Sequence, residues 1–283
     1  MVISPRGLDA PGSAPSGVAS PRARKDTWLD DQAPRQSIRR YRTVHAFIGM
    51  AARLYSSVRG EGLERLPDGP AVLCFTHQSW ADPFYMFAAI PSRPRMYFFG
   101  PIQEEMRHGA RNRLMRWSGV VIPYRPGRRG LVAATARAQS VLAGDAVVSI
   151  AGEGRIHAGE ATVLPLREGA AYLSLRAGVP LVPVAINGTS WLGFRRIVRV
   201  RVGSPIAAEP ATKFRPTAAE VASLTAVAQA ALEELVADFP DRPLPGLLGR
   251  RLTELFNDWP GGSRPPAQAG KSDFGSCRPD TRS

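Results

Sequence analysis

The chain has 283 residues, 44% of them hydrophobic, with a net charge of +13 and a pI of about 10.8. That balance fits one α/β domain of moderate size with tails, and it points to anionic partners: a phospholipid surface, a phosphorylated small molecule or nucleic acid. Two cysteines, Cys74 and Cys277, make no disulfide framework. No run of about 18 uncharged apolar residues predicts a transmembrane helix, and the first residues hold no apolar signal core, so the expected location is cytoplasmic.

Residues 1–38 mix Pro, Gly, Ser, Ala and Arg without periodicity, a composition that cannot bury a core and reads as a disordered basic tail. Between Ile38 and Arg59 the pattern turns helical, with Val44, Phe47, Ile48, Ala51 and Leu54 at three- and four-residue steps among arginines. A basic amphipathic helix of this kind suits an anionic membrane interface. Pro67-Asp68-Gly69-Pro70 is a turn signal, followed by Ala71–Phe75, an apolar run with the length of a buried strand. Asp82-Pro83 reads as a helix start, with Asp82 as the cap. Arg95–Phe99 is a second strand, and Ile102, Met106, Ala110, Leu114 and Trp117 form an apolar helical stripe. From Arg93 to Gly130 nine arginines face two acids, more than a balanced solvated face needs. Strands then read over Gly119–Arg125, Val147–Ile150, Leu181–Ala185 and Ile197–Val202, alternating with helices over Gly130–Leu142 and Arg167–Ala177. Thr217-Ala218-Ala219-Glu220 has the form of a capping box, opening a surface helix that closes the domain. From Pro260 the disordered composition returns. The alternation predicts a single α/β domain over 39–259, with a mixed, largely parallel sheet flanked by helices.

Three strand ends carry chemistry. His77 and Asp82 follow the first buried strand, where an α/β sheet places its ligands. Residues five apart on a continuous helix point about 140° away from each other, so the pair can meet only across a non-helical step. A carboxylate beside an imidazole fixes its tautomer and leaves the other nitrogen to take a proton from a hydroxyl. Arg125 and Arg155 each end a strand with a planar fork of donors suited to phosphate. The glycines at 152 and 154, on either side of Glu153, free the backbone to approach a ligand and offer amides that suit an anion.

In this order the pieces resemble the 1-acylglycerol-3-phosphate acyltransferase family of glycerolipid acyltransferases. Thr76-His77-x4-Asp82 is similar to that family's Asn-His-x4-Asp, and Gly119 to Arg125 to its Gly-x-Ile-x3-Arg with Val121 at the Ile position. Ala151-Gly152-Glu153-Gly154-Arg155 resembles the shorter form of Phe-Pro-Glu-Gly-Arg, and Val179-Pro180-Leu181-Val182-Pro183 its Val-Pro-x-x-Pro strand. The likeness covers Gly62 to Pro205. Two departures stand out: Thr76 replaces the usual Asn, and Ala151-Gly152 replaces Phe-Pro.

The resemblance implies a glycerolipid acyltransferase-like fold and acyl transfer from acyl-CoA or acyl carrier protein to the hydroxyl of a lysophospholipid. His77 is then the general base and Asp82 its orienting partner, while Arg125, Gly154 and Arg155 hold the acceptor's phosphate and Glu153 positions that loop. No covalent nucleophile is needed: no Gly-x-Ser-x-Gly elbow is present, and Cys74 reads as a core residue. His108 reads as solvated. His157 and Glu160 alone make no metal site, and no cofactor is expected beyond the donor. The alternatives are a transacylase working between phospholipids, an inactive membrane-binding member, and a nucleic-acid-binding protein. Against the last, the basic segments lack aromatics interleaved as stacking platforms. The expected partners are a lysophospholipid, the acyl donor and an anionic membrane at the cytoplasmic face, with no nucleic acid.

Overall fold

Five consecutive apolar residues, Ala71–Phe75, leave neither face of a strand suited to water, so both must be covered. The computed structural model describes residues 38–101, 118–124, 128–208, 215–240 and 244–257. In it this strand, β2, is buried throughout and lies between β5 (Ala146–Ala151) and β6 (Leu181–Asn187), parallel to both. β3 (Arg95–Pro101) and β4 (Val121–Tyr124) extend the parallel pairing beyond β5. On the other side β7 (Ile197–Val202) runs antiparallel to β6, and β1 (Ser57–Glu61) pairs parallel with β7. Among the described residues the sheet has seven strands in the order β1-β7-β6-β2-β5-β3-β4. The fold is the mostly parallel α/β architecture expected.

Alternation along β2 sends its side chains into two cores. Leu73 and Phe75 pack with Met96, Phe98, Val182 and Val184 under α1 (Ile38–Tyr55) and α2 (Asp82–Ala89). Val72 and Cys74 pack on the opposite face with Tyr97, Ile122 and Val148. That face is covered by α3 (Arg128–Leu142), α4 (Gly169–Ala177) and α5 (Ala218–Val236). Fully burying a side chain such as Leu73 or Phe75 contributes about 1.5–3 kcal/mol, so this strand anchors both layers.

Two elements differ from expectation. The first helix ends at Tyr55 rather than Arg59, and Ser57–Glu61 is the edge strand β1, held by its register with Ile197–Arg201. Nor is α5 the last element: α6 (Leu247–Asn257) follows, and Thr253 Oγ1 on it accepts the Leu192 N–H at 2.9 Å. The stripe expected over Ile102–Trp117, which includes His108, and the two tails lie outside the described residues.

The capping box at α5 has both of its bonds: Glu220 N–H donates to Thr217 Oγ1 at 3.2 Å and Thr217 N–H to Glu220 Oε2 at 2.6 Å. Thr217→Ala removes the first of them. Caps of this kind contribute about 1 kcal/mol, so thermal unfolding should move down by roughly 2–4 °C. An unchanged melting temperature would show that α5 does not depend on its cap.

Candidate active site

The carboxyl end of β2 is tied to its neighbour one residue past the strand. Thr76 N–H donates to Val184 O at 3.1 Å, and Thr76 Oγ1 accepts the Ile186 N–H at 2.9 Å. The chain then leaves the sheet, and the non-helical step brings His77 and Asp82 together, with Nδ1 2.9 Å from Oδ2. Asp82 is not the helix cap expected of it. Ala81 occupies the cap position without a side-chain bond, and Asp82 is the first residue of α2. Its Oδ2 turns back instead to accept the N–H groups of Gln78 and Ser79 at 2.8 and 3.0 Å. Asp82 is fully buried, and its Oδ1 has no hydrogen-bond partner among the described residues. Two backbone amides already donate to Oδ2, which marks it as the acceptor of this contact, so the His77 Nδ1–H donates to it and Nε2 lies on the far side of the ring from Asp82. Phe75 and Trp80 stand edge-on to the imidazole at 5.7 and 6.1 Å.

The end of β5 meets the same residue. Glu153, buried, accepts the His77 N–H on Oε2 at 2.9 Å, and the N–H of Leu164 on Oε1 at 2.9 Å. His157, also buried, lies 2.8 Å from Oε1 through Nε2, and its own N–H donates to His77 O at 3.2 Å. Glu160 lies elsewhere, accepting from Asn187 Nδ2 at 2.9 Å, Gly188 N at 2.8 Å and Ser190 Oγ. His157 and Glu160 therefore do not converge; the partner of His157 is Glu153.

The glycines also differ from expectation. Their amides are not open to an anion: Gly152 N–H donates to Phe75 O at 2.9 Å and Gly154 N–H to Ala151 O at 3.2 Å. Gly154 contributes its conformation, with φ at +67°, a left-handed value that glycine adopts without strain. Arg155 follows, exposed and without an ion pair among the described residues. Arg125 lies outside the described residues. Arg167, which the motif reading passed over, is exposed beside Gly154, its Cδ 2.7 Å from where a Cβ would stand there. Burial pushes the Tyr124 hydroxyl up, and the Arg167 guanidinium offsets part of that rise. No local pattern marks Arg167, because the turn at 151–154 is what brings it near.

Cys74 is sealed in the core, its thiol pushed up to about 12 first by burial and then by the nearby Glu153 carboxylate. That leaves no thiolate for nucleophilic catalysis near neutral pH.

Residues 57–187 match the family model described as Acyltransferase. They form an acyltransferase domain. The fold is similar to the crystal structure of the 1-acyl-sn-glycerophosphate (LPA) acyltransferase PlsC from Thermotoga maritima, with a TM-score of 0.53 and 21% sequence identity over 71% of this chain and 81% of that one. No curated protein matches the chain. Among the described residues no helix is long and apolar enough to cross a membrane.

The buried thiol of this acyltransferase sets a test of its core. In a Cys277→Ser variant at pH 8, iodoacetamide should leave the native protein unlabelled and modify Cys74 fully in denaturant. The raised value also means that the native thiol keeps its proton where the unfolded one loses it. Its contribution to stability is intact below about pH 9 and declines toward about 12. Native labelling at the rate of a free thiol would contradict the burial.

Proposed function

We propose that the enzyme transfers a fatty acyl group from a thioester, acyl-CoA or acyl carrier protein, to the free hydroxyl of a lysophospholipid, with 1-acylglycerol-3-phosphate as the foremost acceptor. The observation that carries this reading is the His77–Asp82 pair, in which the carboxylate is fully buried while the imidazole keeps 13% of its side-chain surface open. A base reachable from solvent and locked in one tautomer suits a hydroxyl acceptor. The acceptor named for the Thermotoga maritima structure supports the choice of substrate.

In this mechanism the acceptor hydroxyl attacks the thioester carbonyl as His77 Nε2 takes its proton. Asp82 stabilises the imidazolium. Collapse of the tetrahedral intermediate breaks the C–S bond, and the departing thiolate takes the proton from Nε2. The step balances without a covalent enzyme intermediate, a metal or a further cofactor. Arg155, with Arg125, pairs with the acceptor's phosphate; Gly154 shapes the turn that presents Arg155, and Glu153 fixes that turn against His77.

The same reading places the enzyme peripherally on the cytoplasmic membrane face, and the surface supports it. α1 has a second apolar stripe, Phe47, Met50 and Leu54, turned to solvent away from its buried face. The Tyr55 ring beside it packs on exposed Phe194 at 6.1 Å, and α6 adds exposed Leu247 and Leu248. Over α1, residues 190–196 and residues 244–257 the sequence holds eight arginines and one acid, Glu254. Asn187 on β6 pairs with Arg199 on β7, and Ser57 with Ile197, so the α1 end lies at the sheet edge that bears His77. Apolar side chains rimmed by arginine suit an anionic bilayer.

Purified protein given acyl-CoA and lysophosphatidic acid should release free thiol, and His77→Ala should lower that turnover by about 10²–10⁴-fold. Wild-type turnover in the variant would remove His77 from the mechanism, and acyl transfer without thiol release would favour the transacylase. Arg155→Ala should raise the acceptor's apparent KM with little change in kcat; an unchanged KM would tell against phosphate pairing. At low salt the protein should float with anionic liposomes and not with neutral ones, and replacing Phe194, Leu247 and Leu248 by Ser should abolish flotation. Equal flotation of the triple variant would move the membrane contact elsewhere.

A further inference from the structure

The acyl-transfer scheme gives no task to His157, yet this ring is 1% exposed and bonded on both sides. The Gly159 N–H points at its Nδ1 at 3.2 Å. An amide N–H only donates, so Nδ1 is an acceptor without a proton, and the ring is neutral with its hydrogen on Nε2. That hydrogen goes to Glu153 Oε1, 2.8 Å away. Glu153 is 2% exposed, and its charge is met by three donors: His157 Nε2, Leu164 N and His77 N. The backbone of His157 completes the arrangement by donating to the carbonyl of His77 at 3.2 Å. The peptide N–H and C=O of His77 are thus both held from residues 153–157, the segment whose middle residue is Arg155.

We infer that His157 is a positioning residue for the base. It fixes Glu153 in the rotamer that holds the His77 peptide, and so ties the placement of the imidazole to the loop that carries Arg155. The inference rests on the reading of His77 as general base. Without the Nε2–H, a buried carboxylate loses one of its three donors and turns to replace it. The His77 N–H is then released, and a shift of about 1 Å at a reacting group can cost on the order of 10²-fold in rate. A side chain that only filled space would act through stability instead.

The experiment compares His157→Leu, which keeps bulk and loses the donor, with His157→Gln, whose amide N–H reaches as far as Nε2. Thiol release is measured with acyl-CoA and lysophosphatidic acid, and each variant is also made in the His77→Ala background. His157→Leu should lower kcat by about 10- to 100-fold with the acceptor KM within about threefold, and His157→Gln should recover most of the loss. In the His77→Ala background the His157→Leu effect should vanish, because it acts through His77. A kcat for His157→Leu within about twofold of wild type, no recovery in the Gln variant, or a full effect in the absence of His77 overturns the inference. Wild-type activity in His77→Ala alone is a different failure, that of the general-base reading itself. If His157→Leu does not fold, imidazole nitrogen NMR of the wild-type protein decides: a neutral His157 ring protonated at Nε2 supports the arrangement, and a proton on Nδ1 or a charged ring at pH 7 overturns it.

Discussion

A carboxylate taken out of water has to be given donors, and this requirement organises the whole carboxyl edge of the sheet. Three buried acids stand there, and two of them are supplied mostly by loop backbone. Asp82 gathers the amides of Gln78 and Ser79 with the His77 ring; Glu153 gathers the amides of His77 and Leu164 with the His157 ring. Glu160 takes one amide, from Gly188, with the side chains of Asn187 at the end of β6 and of Ser190 beyond it. Each acid pins a different loop, and two of the three pin His77. His77 is therefore held by electrostatic demand from both sides, through its ring and through its peptide.

The topology makes this economical. β2 lies where the strand order reverses, with β3, β4 and β5 built on one side before the chain crosses back to β6. The loops that leave β2, β5 and β6 consequently open at one crevice, the usual site of chemistry in an open α/β sheet. Because β6 and β7 are antiparallel, the start of β7 and of β1 return to that same edge, bringing the end of α1 and the Phe194 loop with them. The apolar-basic surface and the His77–Asp82 pair thus share an edge through strand direction alone.

What the sequence makes legible follows from how local each signal is. The central strands are continuous apolar runs, and their bounds fall within a residue or two of the structure; the capping box is a four-residue pattern and forms as written. β1 escapes notice because an exposed edge strand of five residues with Val58 as its one apolar side chain has no pattern of its own; its identity lies in the register with β7. α6 escapes because it is short and its anchoring bond reaches back to Leu192. At the site, His77, Asp82, Glu153 and Arg155 are visible as residue types at strand ends, but their partners are not. Asp82 looks like a cap because helix starts favour Asp, yet the donors at Gln78 and Ser79, together with the ring, outcompete that role. His157 looks idle because its partner is paired with it through a turn, and Arg167 because it approaches Gly154 from thirteen residues along the chain.

The departure at Ala151-Gly152 shows how such a change is absorbed. A proline at 152 could not donate the bond that Gly152 gives to Phe75 O, which carries the β2–β5 pairing past the strand end. A side chain at 152 meets two obstacles, since a Cβ there would lie 2.6 Å from Cys74 Sγ and 2.8 Å from Leu166 Cδ2. The space that a larger residue would need at 152 is already filled from β2 and from the loop before α4, so the bend before Glu153 is fixed by a backbone bond and by packing rather than by a pyrrolidine ring. Glu153 is delivered to His77 by that bond and that packing, with no rigid residue at 152. What does change is the wall that a phenylalanine at 151 would have formed: with Ala151 only half-covered at that point, the strand end is left lined by a methyl group. The chemistry of the edge and the shape of its crevice are in this way set by separate residues, two positions apart.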